Sequence, residues 1–153
     1  MELRKGKVKR AMPKNTERET EVMPLVSPAI RTIAMPAFTN SAGDIFGGWL
    51  MSQMDLAAGS VAARCARGRC ATIEVNRMVF KSPVKVGDEV TVFAKLLSIG
   101  TTSMKLKVSA WRRPRDGDRS TKVTEAIFTF VALDSEGSPR PVRSGEVVSD
   151  PKR

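Results

Sequence analysis

Trp49–Arg67, WLMSQMDLAAGSVAARCAR, is the stretch from which the rest of this chain can be read. It contains no proline and is dense in Leu, Met and Ala, residues that lose little conformational freedom on entering a helix. Gly68 follows it as a candidate C-terminal stop. Its polar residues Gln53, Ser60, Arg64 and Arg67 stand at i, i+7, i+11 and i+14. At ~100° per residue they fall within ~60° of one another, one solvated stripe on an otherwise apolar or small-residue helix. Ala57, Ala58, Gly59, Ala62 and Ala63 make the helix thin, so other backbone can approach it closely.

On either side of this helix the pattern changes. Ala29–Met35 (AIRTIAM) is a short apolar run ended by Pro36, a candidate first strand, and Ala37–Gly48 (AFTNSAGDIFGG) is loop chemistry. After the helix, apolar residues alternate with polar ones over Thr72–Phe80, Glu89–Leu97, Ser103–Trp111 and Val123–Leu133, which predicts four strands. Pro83, Gly87, Gly100 and the charged run Arg112–Ser120 separate them. No second helix is available for parallel crossovers, so the expected class is α+β, an antiparallel sheet packed on one long helix. The expected organisation is a disordered basic extension over 1–28, one domain over 29–135 and a flexible tail over 136–153.

Composition excludes more than it selects. The chain of 153 residues has no histidine and no tyrosine. That removes Ser-His-Asp and Cys-His machinery, serine esterase chemistry of the triad kind included, and His-based metal sites. Cys65 and Cys70 are too few for a disulfide framework or a four-ligand zinc site. No apolar run reaches the ~18–20 residues of a membrane span, and the basic N-terminus lacks the apolar core of a secretory signal. These readings predict a reduced, cytoplasmic domain without metal or cofactor. The net charge is +10, and residues 1–14 carry six Lys/Arg against one Glu, so half of the excess sits in the tail. The surplus suits an anionic partner, and a nucleic-acid module is one reading of the tail. With two Trp and six Phe the chain lacks the aromatic interleaving of a single-strand binder.

Asp55 is the exception on the helix. It lies two residues from Gln53, ~200° around the axis, with Met51, Ala58, Gly59 and Ala62 on its own face. A carboxylate on such a face is either a structural acid capped by a buried Arg or backbone amides, or a general base or nucleophile. Gly47-Gly48 opens the helix, where unpaired N–H groups can polarise a carbonyl and glycine lets it come close. Asn40 offers a donor and an acceptor from the loop, and Asp44 could cap the loop or helix. Arg77, Lys81 and Arg112 are possible phosphate partners. Thr101, Thr102 and Ser103, after Gly100, form a candidate polar cradle.

Phe38–Gly59 (FTNSAGDIFGGWLMSQMDLAAG) resembles the signature of the bacterial hotdog-fold acyl-CoA thioester hydrolases of broad specificity. Val75–Val86 (VNRMVFKSPVKV), Gly87-Asp88, Gly100–Met104 (GTTSM) and Thr124–Val131 (TEAIFTFV) extend the resemblance over about residues 29–135. It implies a hotdog fold, an antiparallel sheet of five or six strands wrapped around the helix, in homodimers that commonly assemble as a trimer of dimers. It implies acyl-CoA as substrate, Asp55 as catalytic carboxylate, Asn40 as its polar partner and Gly47-Gly48 as the carbonyl-polarising turn. The basic body suits coenzyme A, with Arg77, Lys81 and Thr101–Ser103 as candidate contacts to it. The family usually has an Asp before Thr-Asn, where this chain has Phe38. Hotdog domains also serve as non-catalytic acyl-CoA sensors, the alternative reading, but a sensor has no need of an acid at position 55.

Overall fold

The computed structural model describes residues 21–142. The expectations for residues 1–20 and 143–153 lie outside them. The order of elements is β1 (Ile30–Ile33), a 3-10 turn (Pro36–Phe38), α1 (Gly47–Ala66), β2 (Cys70–Asn76), β3 (Glu89–Ile99), β4 (Ser103–Arg113) and β5 (Thr121–Ala132). All strands pair antiparallel in one curled sheet ordered β1-β3-β4-β5-β2, with α1 packed against it. The hotdog arrangement expected from the sequence is the one observed.

Period-two patterning sets which face of the sheet meets the helix. Met104, Leu106 and Val108 of β4 are directly opposite Phe130, Phe128 and Ala126 of β5, and all six are buried. On its other side β4 pairs Val108 with Ala94 and Ala110 with Val92 of β3. Against this ladder α1 buries Trp49, Leu50, Met54, Ala57, Ala58, Ala62 and Ala66. Four of those seven are alanines, all at 0% exposure, so helix and sheet backbones approach closely as the thin sequence anticipated. Burying Phe128 alone contributes roughly 2–3 kcal/mol.

The element boundaries shift for identifiable reasons. The helix starts at Gly47, two residues before the predicted Trp49, because Phe46 serves as N-cap residue while both glycines adopt helical backbone. It ends at Ala66 rather than Arg67. Arg67 itself takes the left-handed conformation (φ 50°, ψ 45°), so the stop assigned to Gly68 is made one residue earlier. The β2 strand ends at Asn76 and not Phe80, since Arg77 also turns left-handed (φ 56°). The loop Arg77–Asp88 is thereby released to travel to the other end of the helix, where its residues line a cavity. The domain's contacts also run past residue 135. The Val142 N–H donates to the Thr101 carbonyl at 2.9 Å, and Arg140 Nη2 donates to the Ala66 carbonyl at 2.9 Å, closing the helix C-terminus.

Arg112, a candidate phosphate partner in the sequence, is instead committed to the fold. Its Nη1 donates to Asp88 Oδ2 at 3.0 Å, and the same carboxylate oxygen accepts from the Lys85 N–H at 2.9 Å. The Asp88 side chain is 6% exposed and that of Arg112 23%, so removing the acid strands a largely buried guanidinium. Replacing Asp88 by Ala is expected to cost about 3 kcal/mol, the lower end for breaking a buried pair, read as a lowered midpoint in urea unfolding.

Candidate active site

The loop that enters α1 is closed by its own backbone. Thr39 and Ile45 form an isolated antiparallel bridge, and the Phe46 N–H donates to the Phe38 carbonyl at 2.7 Å. Inside that closure Asn40 Oδ1 accepts from the N–H groups of Ala42 (2.9 Å) and Asp44 (3.1 Å). Its acceptor is therefore engaged by the turn, and its side-chain amide N–H groups are left as the chemistry it can offer. Asp44 pairs with Lys85 Nζ and caps no helix. Phe38 stacks on Trp49 with ring centroids 5.2 Å apart and planes 21° apart, pinning the loop to the first turn of the helix.

That first turn is open. α1 has no side-chain cap, and among the described residues neither the Gly47 nor the Gly48 N–H donates to the protein. A Cβ on Gly48 would stand 2.5 Å from Phe46 Cε1, so glycine here lets the Phe46 ring lie across the turn. Gly47 lines a cavity of about 270 Å³ with Ile45, Leu50, Val123 and the segment Phe80–Val84. Lys81 belongs to that segment, with a side chain 54% exposed, and pairs with Glu21 at 3.3 Å. Burial presses the Glu21 carboxyl slightly upward, but hydrogen bonds from Lys81 and Lys122 hold it below the usual glutamate range. Arg77 is exposed at the start of the same loop.

Asp55 lies in a second cavity, of about 260 Å³, with Met51, Ser52, Thr72, Val75 and Phe128. It is half-buried rather than fully buried. Among the described residues neither an arginine nor a backbone amide caps it. Its partner is Thr72, whose Oγ1 donates to Asp55 Oδ1 at 2.5 Å. The thiol of Cys70, two positions before Thr72, is raised above its ordinary range by burial, lowered in part by Arg140 and raised again by Asp55. A thiol so held stays protonated and is no competing nucleophile.

One chain does not assemble all the candidate residues. Gly48 and Asp55 are seven residues apart, ~10 Å along the axis at ~1.5 Å per residue, and the cavity that Gly47 lines is not the one that Asp55 lines. The turn Thr101–Ser103 is built into the far end of the sheet, with Ser103 opposite Val131, whereas Lys81 donates its N–H to Val123. Along β5 those two points are ~26 Å apart at ~3.3 Å per residue. Thr72 was not singled out as a site residue in the sequence, and of the cavity wall Phe80–Val84 only Lys81 was. The pairing of Thr72 with Asp55 has no local signature, because the two residues meet only through the register of β2 against β5.

A family model described as the thioesterase superfamily matches residues 42–117. The acyl-CoA thioester hydrolase YciA of Escherichia coli strain K12 is 46% identical over 114 residues, 72% of this chain and 86% of that one. The chain belongs to the thioesterase superfamily. A Zymomonas mobilis protein described as an uncharacterized acyl-CoA thioester hydrolase is also 46% identical, over 130 residues covering 83% of this chain and 87% of its own length. The crystal structure of a hexameric thioesterase from Yersinia pestis superposes with a TM-score of 0.76 at 44% identity, covering 80% of this chain and 100% of that one.

The engaged acceptor of Asn40 makes its part in the turn separable from the catalytic part that the sequence suggests. Asn40→Asp keeps an oxygen for the Ala42 and Asp44 amides and loses the donor. It is expected to retain the wild-type unfolding midpoint while thioester turnover falls at least ~10-fold, about one hydrogen bond to a polarised group. Asn40→Ala is expected to lose both, with stability lower by roughly 1–2 kcal/mol from the unmade turn.

Proposed function

We infer that this chain hydrolyses acyl-CoA thioesters to a free carboxylic acid and coenzyme A. The reading rests most on one observation: a lone half-buried carboxylate, Asp55, and an uncapped glycine helix N-terminus, each opening on its own cavity of a thioesterase-family fold. In the reaction, the N–H groups of Gly47 and Gly48 receive the thioester oxygen as negative charge develops on it. Asp55, oriented by Thr72, activates a water as general base or adds to the carbonyl itself. With Asp55 as base, the water oxygen bonds to the carbonyl carbon as its proton passes to Asp55, the C–S bond breaks, and the thiolate of coenzyme A leaves and takes up that proton. With Asp55 as nucleophile, the same C–S cleavage leaves an acyl–aspartyl anhydride, which a water then hydrolyses to the free acid. Asn40 directs its amide N–H groups at the reacting oxygen. Lys81 and Arg77 face the phosphates of the same ligand. The Glu21–Lys81 pair is exposed, and pairs of that kind contribute only ~0–1 kcal/mol, so a phosphate can take the carboxylate's place.

The two halves of the site come together between subunits. The β2 strand is a sheet edge with Ile73 (61% exposed) and Val75 (38%) on it, and α1 exposes Met51 (41%) and Leu56 (61%) close by in sequence to Asp55. An uncovered apolar edge of this kind is a template for a second copy. Two antiparallel copies of α1 about a two-fold axis bring Gly48 of one near Asp55 of the other, giving two sites per dimer. Hexamers, as in the Yersinia relative, are then trimers of such dimers. The working compartment in this reading is the cytoplasm, where the free thiols Cys65 and Cys70 stay reduced.

Thiol release from a series of acyl-CoAs tests the activity, and a chelator is expected to leave the rate unchanged. Asp55→Asn should lower kcat by at least ~10²-fold, the lower range for a positioned general base. Retained turnover in that variant removes Asp55 from the mechanism. Mixing Asn40→Ala with Asp55→Ala subunits under exchange conditions tests the sharing. A mixed dimer holds one doubly damaged and one intact site, so activity is expected to return. Verified heterodimers as inactive as their parents would mean that both residues act within one chain, or that one damaged site disables the other.

A further inference from the structure

Two ammonium groups converge on a single oxygen of Glu21. Lys81 Nζ and Lys122 Nζ each donate to Glu21 Oε1 at 3.3 Å. Lys81 belongs to the wall of the Gly47 cavity, and Lys122 precedes Val123 of the same wall on β5. The Lys81 N–H donates to the Val123 carbonyl at 2.7 Å, which keeps the two segments side by side. Lys122 is placed by the fold and not by Glu21, since its Nζ also donates to Glu125 at 3.0 Å and lies 5.4 Å from the centroid of the Trp111 ring. Burial presses its ammonium down, but Glu125 and Glu21 outweigh burial and hold it above the usual lysine range, so it is charged at neutral pH. Glu21 is held by much less. Its side chain is 44% exposed and makes no other ion pair among the described residues. From Glu21 to Ser27 no backbone group pairs with other backbone among those residues.

The fit of the carboxylate is poor where that of a phosphate is good. Both contacts are longer than the ~2.7–2.9 Å of strong charge-assisted bonds, and one carboxylate oxygen serves two ammonium groups. A phosphate monoester offers three acceptor oxygens to share between them. The local charge points the same way. Glu125 is shared by Lys107 and Lys122, so Lys81, Lys107 and Lys122 stand against two carboxylates with Glu21 in place and against one with Glu21 lifted away. The excess of two positive charges that this uncovers balances a phosphate monoester, which carries about −1.5 to −2 at pH 7. We propose that Lys81 and Lys122 form a seat for a phosphate of coenzyme A, and that Glu21 is its built-in occupant, a carboxylate that the substrate displaces. The inference rests on the acyl-CoA reading above and adds to it a second cation and an internal competitor. Glu21 thereby weakens binding of coenzyme A esters and leaves thioesters without phosphate untouched.

The test uses the full-length chain, calorimetric binding of coenzyme A, and one short acyl group carried on coenzyme A or on N-acetylcysteamine, which has no phosphate. Glu21→Gln keeps the shape of the side chain and removes its charge. It is expected to lower the Kd of coenzyme A about threefold, the share of seats that an exposed ion pair keeps occupied. Lys122→Gln is expected to raise that Kd about tenfold, one lost bond to a charged group, and Lys122→Arg to stay near wild type, which guards against a packing defect. KM for the coenzyme A ester is expected to follow Kd in each variant, and KM for the N-acetylcysteamine ester to stay unchanged. Glu136→Gln removes an exposed acid beyond the other end of β5 and is expected to leave Kd as it was. An unchanged or raised Kd in Glu21→Gln, an equal gain in Glu136→Gln, an equal change on the N-acetylcysteamine ester, or no binding of coenzyme A to any variant would overturn the seat. A chain that binds coenzyme A in the expected order yet hydrolyses no thioester upholds the seat and ends the reading it rests on. An active chain whose Kd ignores Glu21→Gln does the reverse.

Discussion

The side of α1 that faces the sheet carries almost no bulk, and most of the site's geometry follows from that. Ala57, Ala58, Ala62 and Ala66 are all completely buried, so the helix lies close against β3, β4 and β5. Close packing leaves little space for the helix to roll, because interiors tolerate neither voids nor overlap. With the roll set, Asp55 is turned toward Thr72 on the β2 side, and the first turn is turned toward Phe80–Val84 on the loop side. Larger side chains at the alanine positions would lift the helix and loosen the 2.5 Å contact between Asp55 and Thr72.

What could be read in advance was whatever depends on neighbours in sequence. The helix, the strand alternation and the odd placement of Asp55 against the stripe of Gln53, Ser60, Arg64 and Arg67 are all local periodicities, and each is seen in the structure. The misplaced boundaries are equally instructive. Arg67 and Arg77 both adopt positive φ, a conformation for which arginine gives no signal and glycine would have given a strong one. Because Arg77 ends β2 early, the loop behind it is longer than alternation predicts, and it is this loop that builds the wall around Gly47. Thr72 was invisible for the same reason: its partner, Asp55, is 17 positions away.

Arg112 illustrates how residue type alone misleads. In sequence it is one of many cations in a basic chain, as good a phosphate partner as Lys81. In the fold it is held against Asp88, while Lys81 keeps its head in solvent with an exposed acid beside it. The difference comes from strand register. Arg112 stands opposite Val90 and Thr121 within the sheet, whereas Lys81 follows the strand's early end. Charge that is buried and paired belongs to stability, and only the charge left at the rim is available to a ligand.

The separation of Asp55 from that rim bears on the chemistry proposed for it. With no histidine in the chain, Asp55 and Lys81 are the titratable side chains that line the two cavities. Had both faced one chamber, they would have formed an ion pair and committed the carboxylate to the protein rather than to a water or a carbonyl carbon. A single straight helix prevents this by holding its N-terminal turn and Asp55 ~10 Å apart along its axis, with only the neutral Thr72 hydroxyl on the acid. If the helix N-terminus and Asp55 act on one thioester, as proposed above, the same distance separates them within one subunit, because a thioester must meet the oxyanion donors and the carboxylate together. In the reading proposed above, a fold that keeps its acid free of cations in the monomer completes its site with a second copy of the helix. The uncovered apolar side chains of β2 and of α1 around Asp55 are the surface on which that copy can be received.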